Sequence, residues 1–260
     1  MLKERVLSAL VLAPLAALAF YTGGIGFLAL TTVLAGCSAE EFRRMLKGTG
    51  FDLGFLFVPV STVIALSGSF NRVDLFLSSI IIGCLVLLSV SLKRGMPPAA
   101  FSVAGAVYIG GLFGVLGFLR SGPGGREWAF LVLFTTWATD VGAYFGGRAF
   151  GRHKIAPKIS PGKSWEGAAF GMGSGMIISA LWGRYMGLPL YFSIFSGMFI
   201  GVMAGIGDLV ESAFKRYCKV KDSGRAIPGH GGFLDRFDSL LFAGVAGVLL
   251  QGLSKLLFDF

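Results

Sequence analysis

The sequence predicts an all-α integral membrane protein with about nine transmembrane helices. Of its 260 residues, 54% are hydrophobic and only 14% are charged, whereas a soluble domain carries about 25% charged residues. A membrane-spanning helix needs about 20 consecutive, mostly apolar residues, and such runs occupy most of this chain. We therefore expect a single polytopic membrane domain over residues 1–260, with no room for a separate soluble domain.

The apolar runs follow one another with short polar or glycine-containing connections. The predicted spans lie at about residues 5–22, 24–39, 51–69, 74–92, 102–119, 128–147, 167–183, 190–207 and 240–257. Lys3 and Arg5 precede the first run, and Ala17-Leu18-Ala19 resembles a signal-peptide cleavage site. Because a second apolar run follows almost at once, we interpret the first run as an uncleaved helix.

Lys and Arg are distributed unevenly among the segments that join the predicted spans. If the N-terminus is cytosolic, most of the 23 Lys and Arg residues fall on the cytosolic side. The exceptions are Arg72, Arg120, Arg126, Arg184 and Lys255. Cytosolic loops of membrane proteins carry an excess of positive charge, which favours this orientation. The net charge of +9 then reflects topology, and we expect no nucleic-acid partner.

Two of the predicted cytosolic loops are long, at residues 148–166 and 208–239. Long connections are often functional, so we expect an active site on the cytosolic face, built from these loops and the helix ends beside them. The two halves of the chain show no convincing repeat, which argues against a transporter made of inverted repeats. The three isolated cysteines have no spacing typical of disulfides or metal sites.

Asp140 lies within a predicted span, and Asp208 follows the end of another. A carboxylate such as Asp140 is costly inside a membrane and faces a cavity, a partner or a metal, and Tyr144 follows one turn later on the same helical face. Asp208 follows the eighth span and is a second functional candidate. We interpret Glu211 as a solvated charge at the helix end. The residues on the face of Asp208 are Glu211, Ser212 and Lys215.

Asp235 and Asp238 stand three residues apart just before the ninth span, with Arg236 between them. Such carboxylates can hold one or two Mg²⁺ ions and share them with substrate phosphates. Capping of a helix N-terminus is the alternative. It would explain one carboxylate better than two, so we favour a metal or substrate site.

A glycine-rich turn, Pro228-Gly229-His230-Gly231-Gly232, precedes these carboxylates. Glycines let phosphate oxygens approach main-chain N–H groups, and His230 could bind a phosphate or stabilise the turn. The cations around this turn are Lys215, Arg216, Lys219, Lys221, Arg225 and Arg236. Lys163, in the other long loop, is a further candidate phosphate ligand, with membrane topology as its alternative explanation.

A cluster of charges follows the second predicted span. It consists of Glu40, Glu41, Arg43 and Arg44. We interpret these side chains as solvated charges that reflect membrane topology.

The motifs of this region resemble a known signature. The pattern S-x-x-K-R-x4-K-D covers residues 212–222, and P-G-H-G-G-x-x-D-R-x-D covers residues 228–238. Together with residues 140–167 they are similar to phosphatidate cytidylyltransferases (CDP-diacylglycerol synthases). The resemblance is dense from about 135 to 239, is faint in the N-terminal helices before about 120, and precedes a last span at 240–257. Thr139, Ser164 and Arg225 depart mildly from the family pattern.

The resemblance implies a Mg²⁺-dependent reaction in phospholipid biosynthesis, in which CTP and phosphatidate give CDP-diacylglycerol and pyrophosphate. It implies an enzyme of the bacterial inner membrane whose active site faces the cytosol. The metal ligands of the family correspond to Asp208 and Asp235. The expected catalytic residues are Lys163, Lys215, Asp222, Arg236 and Asp238. The expected substrate-binding residues are Asp140, Tyr144, Ser212, Arg216, Lys221, His230, Gly231 and Gly232.

Two other functions are compatible with the residues. A CTP-dependent polyprenol or phytol kinase would also place a nucleotide site at a membrane face, but would transfer the γ-phosphoryl group to an alcohol. An ion transporter could use Asp140 and Asp208 as ligands within the membrane. Glycine-rich spans permit close helix packing, so a homodimer is also compatible with the sequence.

Overall fold

The computed structural model describes residues 14–227 and 231–258, and nearly all regular structure in these residues is helical. The helices are α1 (helical residues 14–22), α2 (Gly24–Lys47), α3 (Phe57–Gly68), α4 (Val73–Ser91), α5 (Met96–Gly105), α6 (Leu112–Ser121), α7 (Gly125–Phe150), α8 (Trp165–Tyr185), α9 (Leu190–Tyr217) and α10 (Leu234–Phe258). A π-helical segment joins α5 to α6 in one continuous rod. Every predicted span overlaps one of these helical segments, although the start of the first span lies outside the described residues.

In the described part of the chain, five helices are long and apolar enough to cross a membrane. They are α2, α4 with the short turn after it, the α5–α6 rod, α9 and α10. Helix α3 is apolar but has only 12 residues. Helices α7 and α8 are long, with 26 and 21 residues, but contain more polar residues and glycines. The helical class is confirmed, whereas the count of nine spans and their orientation stay predictions.

The two segments predicted as long loops are partly ordered into secondary structure. In the first, Lys154–Ala156 (β1) pairs in antiparallel fashion with Ser160–Ser164 (β2). Ser164 also caps α8, because its Oγ accepts a hydrogen bond from the Gly167 N–H at 3.2 Å. A short β-hairpin therefore occupies part of the segment predicted as the 148–166 loop.

The second predicted loop is shorter than expected because α9 continues to Tyr217. Residues 208–217 contain no Gly or Pro, which are the residues that break helices. The helix ends before Lys219, whose φ is +56°, and α10 begins at Leu234. The connection is thus residues 218–233 rather than 208–239.

The chain divides into two compact units. The first comprises the described residues of Met1–Arg126 and Tyr217–Phe237. Its core contains fully buried aromatic side chains, among them Phe42 and Phe57, whose stacked rings are 5.9 Å apart. The segment between α9 and α10 therefore belongs to the same unit as the N-terminal helices.

The second unit comprises Glu127–Arg216 and the described residues of Asp238–Phe260. Its helices approach closely at glycines. A Cβ atom at Gly171 would lie 2.7 Å from the Thr139 carbonyl oxygen, and one at Gly167 would lie 2.9 Å from the Ala143 carbonyl oxygen. Small residues at this spacing let helix backbones come together in a membrane. Helix α8 is thereby held against the part of α7 that carries Asp140.

Candidate active site

The candidate residues fall in both units, and those of the second unit centre on Asp208. Its Oδ2 lies 2.7 Å from the Lys163 Nζ in an ion pair, and its Oδ1 accepts a hydrogen bond from the Ser212 Oγ at 3.3 Å. Lys163 also donates a long hydrogen bond of 3.4 Å to the Gly205 carbonyl oxygen. The β-hairpin thus brings a cation from one predicted loop to a carboxylate of the other.

The expected helical face of Asp208 is present because α9 is unbroken over residues 208–217. Lys215 forms an ion pair with Glu211, whose side chain is 0% exposed. The interpretation of Glu211 as a solvated charge is therefore wrong. A buried carboxylate next to Lys215 keeps this ammonium group fixed on the helix face, since an unpaired charge at that depth would be costly.

Asp238 lies close to several charges of the same unit. It is only 9% exposed and interacts electrostatically with Asp208, Lys215 and Asp140. Its backbone packs directly on Gly207 of α9. Asp238 is therefore within electrostatic range of two other carboxylates and a lysine, and the excess of negative charge around it favours a nearby cation.

The hairpin is fastened to its surroundings at its tip and at its base. Arg216 donates from Nε to the Ile159 carbonyl oxygen at 3.1 Å. At the base, the His153 Nδ1 lies 2.5 Å from a Glu166 carboxylate oxygen. The hydrogen bond from the His153 ring, helped by backbone N–H donors, lowers the pKa of Glu166 to about 2. Glu166 therefore stays ionised below the pH at which an ordinary glutamate is protonated.

Asp140 and Tyr144 lie one turn apart on α7, as predicted, and both are exposed in the described structure. The Tyr144 hydroxyl accepts a hydrogen bond from the Arg148 guanidinium at 3.2 Å. This contact places a further cation one turn beyond Tyr144.

In the first unit, Asp235 is the most strongly hydrogen-bonded candidate. Its Oδ2 accepts hydrogen bonds from the Ser223 N–H at 2.9 Å, the Ser223 Oγ at 3.1 Å and the Gly232 N–H at 2.8 Å. Gly231 has φ of +85°, and a Cβ there would lie 2.7 Å from the same carboxylate oxygen. Gly231 and Gly232 thus allow the backbone to approach Asp235. Their predicted contact with a substrate phosphate stays a prediction.

Glu41 is a residue whose role the sequence interpretation missed. It is only 8% exposed, so its interpretation as a solvated charge is wrong. Its carboxylate accepts hydrogen bonds from the Phe233 N–H at 2.9 Å, the Leu234 N–H at 3.0 Å and the Ser223 Oγ at 2.8 Å. Glu41 therefore holds the N-terminus of α10 from a distant helix. The sequence feature that could have indicated this role is the acidic residue itself, because basic residues are favoured in the last turns of a helix such as α2.

The remaining candidates of the first unit are exposed. These residues are Lys221, Asp222 and Arg236. Such positions suit side chains that meet a charged substrate from solvent, and each role stays a prediction. His230 lies outside the described residues.

The carboxylates of the second unit are compatible with Mg²⁺ binding. Among the described residues, no three His, Cys, Asp or Glu side chains come together closely enough to hold a metal ion. Magnesium in nucleotide sites is commonly held by one or two carboxylates together with substrate phosphates and water. Asp208, whose side chain is 35% exposed and which interacts with Asp238, fits such a shared ligand.

Comparison with known proteins agrees with the chemistry of these residues. The profile of the cytidylyltransferase family matches residues 3–252. The chain belongs to the cytidylyltransferase family. A relative from Staphylococcus saprophyticus, named phosphatidate cytidylyltransferase, is 31% identical over 254 residues, covering 93% of this chain and 95% of the relative. Relatives of the same name from Bacillus subtilis and Brucella suis are 30% and 31% identical, each covering 93% of this chain and, respectively, 94% and 90% of the relative.

The match confirms the family that the signature motifs resemble. It also extends the likeness over the N-terminal helices, where the motifs are faint and where Glu41 lies. The family match therefore covers residues of both units.

Proposed function

We propose that the chain is a phosphatidate cytidylyltransferase of a bacterial inner membrane. A phosphate oxygen of phosphatidate would attack the α-phosphorus of CTP. The bond from that phosphorus to the bridging oxygen of the β-phosphate would break, giving CDP-diacylglycerol and pyrophosphate. The observation that carries the proposal is the likeness, over nearly the whole chain, to relatives that bear this name.

The charges of the described residues suit this reaction. Both substrates are polyanions, so their approach needs cations. Lys163 and Lys215 are each fixed by a carboxylate, Asp208 and Glu211 respectively, which positions them without substrate. The attacking phosphate is already ionised near neutral pH, so the reaction requires no strong general base.

We further propose the metal-ligand roles that the family resemblance implies. Asp208 in the second unit and Asp235 in the first would each be a ligand for Mg²⁺. Bound Mg²⁺ would neutralise charge on the nucleotide phosphates. Asp238 would orient Lys215, with which it interacts, and the exposed cations would bind phosphate oxygens.

The decisive experiment supplies purified protein in detergent with phosphatidate, Mg²⁺ and CTP labelled on the α-phosphate. We expect label in the organic phase, and we expect EDTA to abolish it. Asp208→Asn and Asp235→Asn should each lower incorporation by at least about 100-fold, as expected for lost electrostatic stabilisation in a phosphoryl-transfer site. Asp74→Asn, which removes an exposed carboxylate paired with Arg72, is the matched control and should leave incorporation unchanged.

Other outcomes separate the alternatives. Label in the lipid from γ-labelled CTP with a polyprenol acceptor would identify a kinase. Nucleotide-independent ion flux in proteoliposomes would identify a transporter. Normal incorporation by Asp235→Asn would remove this residue from the mechanism while leaving the activity assignment intact.

A further inference from the structure

Glu41, Ser223 and Asp235 form a hydrogen-bonded chain within the first unit. The Ser223 Oγ lies 2.8 Å from Glu41 Oε2 and 3.1 Å from Asp235 Oδ2. One hydroxyl has a single proton to donate, so it is shared between two carboxylates. The backbone N–H of Ser223 adds a second donor to Asp235.

Close packing fixes this chain in place. Ser223 is 6% exposed. A Cβ atom at Gly224 would lie 2.6 Å from Glu41 Oε1, and one at Gly232 would collide with both the Ser223 hydroxyl and the Glu41 carboxylate. A side chain at either glycine would force the Glu41 carboxylate to move, so the backbone here packs tightly against Glu41.

We propose that Glu41 and Ser223 are positioning residues that orient the Asp235 carboxylate. Glu41 fixes the first turn of α10 through the Phe233 and Leu234 N–H groups, and it holds the Ser223 hydroxyl that reaches Asp235. Residues that hydrogen-bond a metal ligand fix its orientation, and their loss commonly costs about 10–100-fold in metal affinity. The inference rests on the proposed function, since it takes Asp235 to be a metal ligand.

The test measures Mn²⁺ binding to the protein directly, without nucleotide, by the loss of the electron paramagnetic resonance signal of free Mn²⁺. We expect Ser223→Ala and Glu41→Gln to weaken binding by about 10–100-fold. The matched control is Glu40→Gln, which makes the same change at the neighbouring residue. Glu40 pairs with Arg43 and Arg44, outside the chain of hydrogen bonds, and its variant should bind Mn²⁺ normally.

A melting temperature measured in EDTA separates positioning from general damage. Ser223→Ala should melt close to the wild type, because Glu41 keeps its two contacts to α10 in that variant. The Mg²⁺ concentration for half-maximal product formation should rise in parallel with the loss of Mn²⁺ binding. If Glu41→Gln does not fold, Ser223→Ala decides alone.

Two results would overturn the proposal. One is normal Mn²⁺ affinity in Ser223→Ala, and the other is normal Mn²⁺ affinity in Asp235→Asn. The failure of the proposed function looks different, because the wild-type protein would then form no CDP-diacylglycerol whatever its affinity for Mn²⁺.

Discussion

Lys163 is held in place by a carboxylate that is itself proposed to bind metal. Its ammonium group lies 2.7 Å from the Asp208 carboxylate, and the Lys163 side chain is 24% exposed. An ion pair this accessible is worth little for stability, since water screens it. The pair is therefore better explained by charge placement than by stabilisation of the fold.

Replacement of Lys163 tests this point. Lys163→Met should lower cytidylyl transfer by about 100-fold, because one positively charged group is removed from the transferring phosphates. Its melting temperature should change little. Lys158→Met, at an exposed lysine of the same hairpin region, is the control and should retain activity. Equal rates for the two variants would exclude Lys163 from the chemistry.

The sequence predicts the arrangement of side chains on one helix better than contacts between residues that are far apart in the chain. Asp208, Ser212 and Lys215 were assigned to one helical face because the spacing alone determines it. Glu41 and Ser223 are 182 residues apart, so no local pattern joins them. Charged neighbours made Glu41 look solvated, and only the fold shows that it is buried.

At the level of elements, contact between α7 and α8 positions Asp140. The interface depends on glycines of α8, three of which recur every four residues at Gly167, Gly171 and Gly175. Each faces the backbone or a small side chain of α7. A larger residue would push the two helices apart.

Two neighbouring glycines of α8 provide a matched test of this contact. Gly171→Ala should destabilise the protein by about 1–3 kcal/mol, because its Cβ would overpack the interface. Gly173→Ala has nothing within 4 Å of the added Cβ and should be neutral or stabilising by up to about 1 kcal/mol, since alanine favours helix. Thermal unfolding in detergent measures both. Equal melting temperatures would contradict the close packing.

Helix positions were predictable from apolar runs, but the ends of elements were not. Polar residues 208–217 suggested a loop because their hydropathy is low, yet they lack helix breakers and extend α9. The hairpin of β1 and β2 was not predicted because its strands are short and β2 contains Pro161 and Gly162. Hydropathy reports burial in lipid, whereas helix ends depend on capping and backbone conformation.

At the scale of the whole molecule, the distribution of positive charge predicts how the protein is oriented in the membrane. The positive-inside distribution predicts that the β-hairpin is cytosolic and that the end of α6 faces the other side. Both predictions follow from the same topology, so one labelling site in the hairpin region and one at the end of α6 test them together.

Single cysteines would test this topology after the native Cys37, Cys84 and Cys218 are replaced. Lys158→Cys should react with an impermeant thiol reagent only in inside-out vesicles. Ser121→Cys, at the end of α6, should react only in intact cells or right-side-out vesicles. The reverse pattern would invert the orientation, and labelling of both from one side would change the number of spans.

The hydrogen bonds of Glu41 to residues of the signature region also have a consequence for synthesis of the chain. The ribosome makes Glu41 early, but its partner Ser223 follows 182 residues later. The carboxylate is therefore made long before the donors that hold it exist. Synthesis of residues 223–234 supplies these donors. A nascent chain stopped before residue 223 would therefore carry the N-terminal helices without the hydrogen bonds that join Glu41 to the signature region.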